Sequence, residues 1–303
     1  MMPVRLMTAV TRRAYAKINL TLDVGARRPD GYHDIRSVMH RVALHDTLTV
    51  TRTPDVPGVR LEVTGDESAG VPADPSNLVH RAAVRLQKVA AARGAARGDR
   101  SGLHIALHKR LPAQAGLGGG SSDAGATLQA VNDLLGLGLS PRRLAGIGAA
   151  LGADVPFFLS GGAALAEGLG ERLTPLPILD PPWLLVVVKP PVGVSTAAAY
   201  AALDAVPGRV CGAATEAWLA GARDPANDFE AVVLPAYPEI GAAHRLLSET
   251  AGAGASFGPR LCGSGAALFR RVGTIEEAER LAAQVEAAGA GRAWITRTCG
   301  GEA

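Results

Sequence analysis

The sequence predicts an α+β fold in two domains. Three observations carry this. β-type alternation dominates the first hundred residues, helical spacing of apolar residues recurs from about 77 to 152 and again beyond 195, and a proline cluster at 175 to 182 interrupts the pattern. With 303 residues there is material for two buried cores, and the boundary is set at 178, giving domains 1–178 and 179–303.

Residues from about 12 to 25 alternate as a strand, and Asp30-Gly31 supplies a turn. Asp46 to Arg52 and Val59 to Thr64 carry β-branched alternation. Ser76 is read as the N-cap of a helix from Asn77 to about Arg93, with Ala90 to Arg100 as an exposed turn. A strand, Leu103 to Leu107, leads into a glycine-rich segment, and Ser122 to Leu135 follows as a helix. Ser140-Pro141 opens a further helix, serine as cap and proline at its first position; it ends near Gly152 and leaves Asp154 just beyond. After the prolines come a strand at Trp183 to Val188, helices at about 195–204 and 237–250, and a short strand near 265–271. A helix from Thr274 to about Ala288 and a strand from Ala293 to Thr298 complete the order.

An apolar content of 48% with 19% charged residues fits a globular chain and excludes a disordered one. A net charge of +3, evenly spread, gives no basic surface for nucleic acid. Three cysteines, Cys211, Cys262 and Cys299, are too few and too scattered for a disulfide framework or a metal site, which fits a reducing cytoplasm. Residues 1 to about 10 read as a loosely ordered extension without the apolar stretch of a secretory signal, and apolar runs such as Trp183 to Val188 are too short to span a bilayer. No membrane partner is expected, and the oligomeric state is not legible.

The most informative stretch is Lys109 to Asp123, where Gly116, Gly118, Gly119 and Gly120 precede Ser121, Ser122 and a helix. Glycines allow close backbone approach, and the first N–H groups of a helix present partial positive charge to an anion, so Pro112, Ala113, Gln114, Ala115, Gly116, Leu117, Gly118, Gly119, Gly120, Ser121 and Ser122 form a candidate phosphate cradle. It is not a Walker loop, because no Gly-Lys pair exists, and Ser121 stands where a dinucleotide fingerprint needs its third glycine. The competing reading is a loop rich in glycine for turn geometry alone.

Other segments supply chemistry that such a cradle would serve: Ala16-Lys17-Ile18-Asn19, Arg28-Pro29-Asp30-Gly31-Tyr32-His33, Leu151-Gly152-Ala153-Asp154-Val155-Pro156, and Cys262-Gly263-Ser264-Gly265. In order and content, from about residue 14 to about 270, the set resembles the GHMP kinase superfamily of small-molecule kinases. The Pro-Asp-Gly-Tyr-His and Leu-Gly-Ala-Asp-Val-Pro segments narrow the match to members whose alcohol acceptor carries a cytidine diphosphate. The resemblance implies an N-terminal domain like the second domain of ribosomal protein S5, a ferredoxin-like C-terminal domain, and an active site between them. It also implies transfer of a phosphoryl group from ATP.

Such a transfer needs alignment, charge neutralisation and a group to take the hydroxyl proton. Asp154, among apolar neighbours, is the candidate base; by itself it could equally be a helix-end carboxylate or half of an ion pair. Lys17, one of only four lysines among 31 basic residues, lies in an apolar strand where an ammonium is expensive without a partner. The bland alternative is a lysine snorkelling to solvent. The resemblance implies that Lys17 and Asp154 meet at the acceptor hydroxyl. Asn19 shares the strand face of Lys17 and is a candidate for binding acceptor, a core-edge hydrogen bond being the alternative.

Tyr32, His33 and Tyr200 are candidates for holding a base; the resemblance assigns them to cytosine, against solvated loop residues for the first two and a helix-face core residue for Tyr200. Mg2+ is implied by the nucleotide chemistry, with hydroxyls of Ser121 and Ser122 available and no carboxylate assignable. Cys262 stands where the family more often has serine or threonine, so no hydroxyl role is carried to it. Two alternatives remain: a superfamily kinase acting on homoserine or mevalonate, which has no base to recognise, and an RNA-binding protein on a fold shared with ribosomal components, against which the charge argues.

Overall fold

The computed structural model describes residues 7–54, 56–93, 101–207, 213–222, 224–249 and 257–300. The chain divides into two compact units, one of Met1–Tyr15, His45–Ala113 and Gly119–Ser160, the other of Ala16–Leu44, Gln114–Gly118 and Gly161–Ala303. Two long strands, β1 (Ala9–Arg27) and β2 (His33–Thr53), contribute residues to both.

The first unit holds part of each long strand with β3 (Val59–Thr64), α1 (Leu78–Ala92), β4 (Gly102–His108), α2 (Gly119–Leu134), α3 (Pro141–Ala149) and α4 (Phe157–Ser160). Its strands lie in the order β3-β4-β2-β1, β3 parallel to β4 and β4 antiparallel to β2. Val50, Leu86, Ile105, Leu128 and Val131 anchor its core, each fully buried. α2 is buried almost all round, as a central helix should be.

The second unit contains two sheets. One runs β8 (Ala226–Asn227), β1, β2, β5 (Ala163–Gly168), β6 (Arg172–Pro175); the other runs β11 (Arg292–Arg297), β7 (Leu184–Lys189), β10 (Leu268–Val272), β9 (Arg260–Leu261). Helices α5 (Thr196–Asp204), α6 (Ala213–Leu219), α7 (Glu230–Ala236), α8 (Pro238–Glu249) and α9 (Ile275–Ala287) complete it. Its core gathers Val186, Leu203, Ile240, Leu247, Leu268 and Val285.

The α+β class is borne out, and capping chemistry explains several boundaries. Ser140, Ser195 and Thr274 each accept a backbone N–H from the first turn of α3, α5 and α9. α1 is a correction: Asn77, not Ser76, is the cap, its Oδ1 accepting from Val79 N at 2.9 Å. Ser76 is occupied by Asp74, whose carboxylate takes both its N–H and its hydroxyl. α2 begins at Gly119, three residues before the expected Ser122, because fixed surroundings outweigh the roughly 1 kcal/mol propensity cost of glycine. Of the expected N-terminal extension, residues 1–6 lie outside the described residues and Ala9 already opens β1; of the expected turn at 90–100, residues 94–100 lie outside them and Ala90 to Ala92 are helical. No helix among the described residues is long and apolar enough to cross a membrane.

Candidate active site

In the second unit the glycine loop is stitched to the turn between β9 and β10. The carbonyls of Gln114 and Ala115 accept from Ala266 N (3.3 Å) and Ala267 N (3.1 Å), and Gly265 N bonds Cys262 O at 3.1 Å. The two backbones are too close for side chains. A Cβ on Gly116 would stand 1.7 Å from Cys262 O, and one on Gly265 would stand 2.1 Å from Gly116 N. Gly116 and Gly118 take φ of +80° and +72°. Gln114 has φ +53°, a strained value for a side-chain-bearing residue, and lines a cleft of about 520 Å³ with Gly116, Ser195, Thr196, Tyr237 and Ser264.

Lys17 and Asn19 adjoin this junction. Lys17 N donates to Leu117 O at 3.0 Å, and the ammonium, 5% exposed, donates to Asn19 Oδ1 at 2.6 Å. Asn19 Nδ2 donates to Ser37 Oγ at 2.7 Å, and Ser37 Oγ to Thr21 O at 2.6 Å, so the amide is oriented from behind. A Cβ on Gly263 would lie 3.3 Å from Lys17 Nζ and 3.5 Å from Asn19 Oδ1, which puts the second glycine segment against both. Asn227 Nδ2 holds that segment through Leu261 O and Gly263 O. Burial pushes the Cys262 thiol up to about 12, with Lys17 opposing and Glu230 adding to the shift.

The Pro-Asp-Gly-Tyr-His segment forms a tight turn. Arg28 N donates to Tyr32 O, Tyr32 N to Asp30 Oδ1 at 3.1 Å, and Arg28 pairs with Asp30 and Asp34. Tyr32 is thereby held outward, 62% exposed, while His33 turns inward, 7% exposed. His33 stacks on Tyr200 with ring centroids 4.9 Å apart, and Tyr200 meets Phe229 edge-on. His33 Nε2 pairs with Asp204 at 2.7 Å, a partner sequence reasoning missed, although Tyr200 and Asp204 at i, i+4 on one helix are natural neighbours.

In the first unit lie Pro112, Ala113, Gly119, Gly120, Ser121, Ser122 and Asp154. α2 opens with no acidic residue in its first turn. Ser121 is half-buried and Ser122 only 2% exposed. A Cβ on Gly152 would sit 3.7 Å from Ser121 Oγ, so the segment carrying Asp154 runs beside the helix start. Asp154 is half-buried in the turn between α3 and α4, its carbonyl accepting from Phe157 N at 3.2 Å, next to the fully buried Val155 and Phe157.

The first unit also contains a buried charge cluster that sequence reasoning missed. Lys109 donates to Asp46 Oδ2 and, at 2.7 Å, to Asp123 Oδ2; the three side chains are 5%, 0% and 3% exposed. Asp46 Oδ1 accepts from Arg110 N and from Leu111 N (2.8 Å). Among the described residues Asp123 Oδ1 has no partner. The rarity of lysine, with Lys109 and Asp123 flanking the loop, was the available signal. Burial pushes Asp123 up to about 7, Asp46 adding to the shift and Lys109 opposing it, while its two carboxylates outweigh burial and hold Lys109 above the usual lysine value.

This shift has a pH consequence. Asp123 keeps a proton in the folded chain up to about pH 7 that the unfolded chain releases near pH 4, so its contribution is fully present below about pH 4 and is lost as pH rises through about 7. Asp123→Asn should therefore melt at least about 2 °C above the parent at pH 8, with the gap closing toward pH 5. Melting curves at the two pH values check this, and a gap that widens on acidification would refute it.

The model for the GHMP kinases N terminal domain matches residues 77–162. The chain is 46% identical over 292 residues to a 4-diphosphocytidyl-2-C-methyl-D-erythritol kinase of Moorella thermoacetica, covering 92% of this chain and 96% of that protein. It is 44% identical to the enzyme of the same name from Geobacter metallireducens, covering 92% and 95%. A crystal structure of a 4-(cytidine 5'-diphospho)-2C-methyl-D-erythritol kinase superposes with a TM-score of 0.75 at 34% identity, covering 96% of this chain and all of that one. A homoserine kinase from Cytophaga hutchinsonii, at 18% identity and TM-score 0.72, shares the fold. On these similarities the chain belongs to the 4-diphosphocytidyl-2-C-methyl-D-erythritol kinase family of GHMP kinases.

Proposed function

We propose that the chain transfers the γ-phosphoryl group of ATP to the 2-hydroxyl of 4-diphosphocytidyl-2-C-methyl-D-erythritol, a step of non-mevalonate isoprenoid precursor biosynthesis. The observation that carries this reading is the buried Lys17 ammonium, held by Asn19 against the junction of the two glycine segments. It supports a charge-stabilising role at an acceptor oxygen. Residues 112–122 cradle the phosphates of ATP through backbone N–H groups and the N-terminus of α2. Asp154 takes the proton of the attacking hydroxyl, and Lys17 offsets the negative charge that develops on its oxygen. Asn19 positions the acceptor.

Mg2+ would be held by the phosphates of ATP with the hydroxyls of Ser121 and Ser122 in reach and would offset phosphate charge; among the described residues no group of three or more His, Cys, Asp or Glu side chains is placed to hold it. The two halves, 1–178 and 179–303, are retained as the domain division, and the enzyme is taken as cytoplasmic, acting on small molecules.

Tyr32, His33 and Tyr200 hold the cytosine of the acceptor, an assignment supported by the outward Tyr32 ring and the His33–Tyr200 stack. Binding energy from this remote base then serves to align the hydroxyl. His33→Ala should raise KM for the cytidylylated acceptor at least about tenfold, the scale of one hydrogen bond, with KM for ATP nearly unchanged. An ADP-release assay with the cytidylylated acceptor, free methylerythritol, homoserine and mevalonate tests the whole reading. Efficient turnover of any of the last three would refute the acceptor assignment and leave the kinase assignment standing.

A further inference from the structure

The buried cluster of Lys109, Asp46 and Asp123 takes no part in the chemistry above, yet it binds together the segments that flank the glycine loop in sequence. Lys109 to Leu111 leave β4 immediately before the loop, and Asp123 lies on α2, which begins at its end. Asp46, on β2, reaches the first of these segments at three points: the Lys109 ammonium and the N–H groups of Arg110 and Leu111. Lys109 then spans to Asp123. The helix start is fitted to the same place, because a Cβ on Gly119 would stand 3.3 Å from Leu111 Cβ and 3.6 Å from Lys109 Nζ.

The arrangement is costly as a stabilising device. Two fully buried carboxyl groups must share one ammonium, and among the described residues Asp123 Oδ1 has no hydrogen-bond partner. An apolar trio would pack here without desolvating any charge. What an apolar trio cannot do is fix a chain segment by its backbone N–H groups and, through one flexible ammonium, tie it to a helix start. Directional bonds between three elements specify position where packing specifies only volume.

We propose that Asp46 is a positioning residue for the nucleotide, holding Lys109 to Leu111 and, through Lys109 and Asp123, the start of α2 in the arrangement in which the loop N–H groups converge on phosphate oxygens. This rests on the reading of residues 112–122 as the ATP loop. Removing Asp46 leaves Lys109 and Asp123 as a neutral pair, so Asp46→Ala is not left with an uncompensated charge; it loses the two backbone bonds and the link to Lys109 together. Asp46→Asn keeps an oxygen for the backbone N–H groups and breaks only the bond from Lys109, since an amide N–H₂ cannot accept from an ammonium.

The experiment is calorimetric titration of the full chain and both variants with a non-hydrolysable ATP analogue and, separately, with the cytidylylated acceptor. The expected order of affinity for the ATP analogue is parent, then Asp46→Asn about threefold weaker, then Asp46→Ala at least about tenfold weaker, with acceptor affinity within twofold throughout. Variants that bind the ATP analogue as the parent does would overturn the proposal, as would a parallel loss for both ligands, which marks a structural role only. If circular dichroism shows Asp46→Ala unfolded, Asp46→Asn decides alone, and parental affinity in it overturns the proposal. Failure of the parent itself to bind the ATP analogue would instead strike at the kinase reading.

Discussion

Asp154→Asn and Lys17→Ala each lower kcat by about two orders of magnitude or more while KM for ATP stays within a few fold, the scale of a lost general base or charge-stabilising donor. Asp154→Asn keeps shape and hydrogen-bonding capacity and removes the ability to take a proton. Lys17 differs, because its ammonium is buried and hydrogen-bonded to Asn19. Lys17→Ala opens a small void and frees Asn19 Oδ1, so Lys17→Met, which fills the space, belongs beside it as a control for packing. If the charge matters, alanine and methionine are equally slow. The measurement is steady-state turnover with melting curves for each variant. A folded double variant turning over at the parental rate would remove both residues from the mechanism.

The second large effect is expected at Gly116. A methyl there would sit 1.7 Å from the carbonyl oxygen of Cys262, against backbone that cannot swing aside, and φ is +80°. Gly116→Ala must therefore part the glycine loop from the Cys262 to Ala267 turn, breaking the bonds through Gln114 O and Ala115 O. At Gly119 the nearest contact is 3.3 Å, to a side-chain carbon that can yield by a few tenths of an ångström. Gly116→Ala should weaken ATP binding at least about tenfold more than Gly119→Ala does. Calorimetry with ATP on both variants decides between them, and equal losses would show that the contact between the two segments is not what shapes the loop.

Legibility in the sequence followed the range of the forces involved. α3, α5 and α9 were readable because Ser140, Ser195 and Thr274 cap them through bonds three residues long. α6 was not. Its first N–H groups are held by the carboxylate of Asp23, some 190 residues away in the chain, and Thr215 bonds Thr21. β8, two residues long, exists only because β1 offers it a parallel edge at Thr21 and Leu22.

The candidate site divides in the same way. That Lys17 and Asn19 share a strand face follows from the period of two, and their 2.6 Å bond agrees. The turn at Asp30-Gly31 was equally local, with Gly31 at φ +86°. The partnerships of Lys109 with Asp46 and of His33 with Asp204 span 63 and 171 residues and leave no periodic trace. The contact of Gly116 with Cys262 likewise becomes visible only when two distant backbones are in place.

The Cys262 thiol gives the site a chemical temperament of its own. With burial pushing its pKa up to about 12, it stays a thiol rather than a thiolate through the neutral pH range. Alkylating agents and peroxides act on thiolates, and this sulfur, fully buried beside Lys17, offers them almost none. Cys299, half-buried, is the more approachable of the two described cysteines. A sulfur atom thus stands against the glycine loop with burial holding it in the thiol form, and inactivation by such reagents would point away from Cys262.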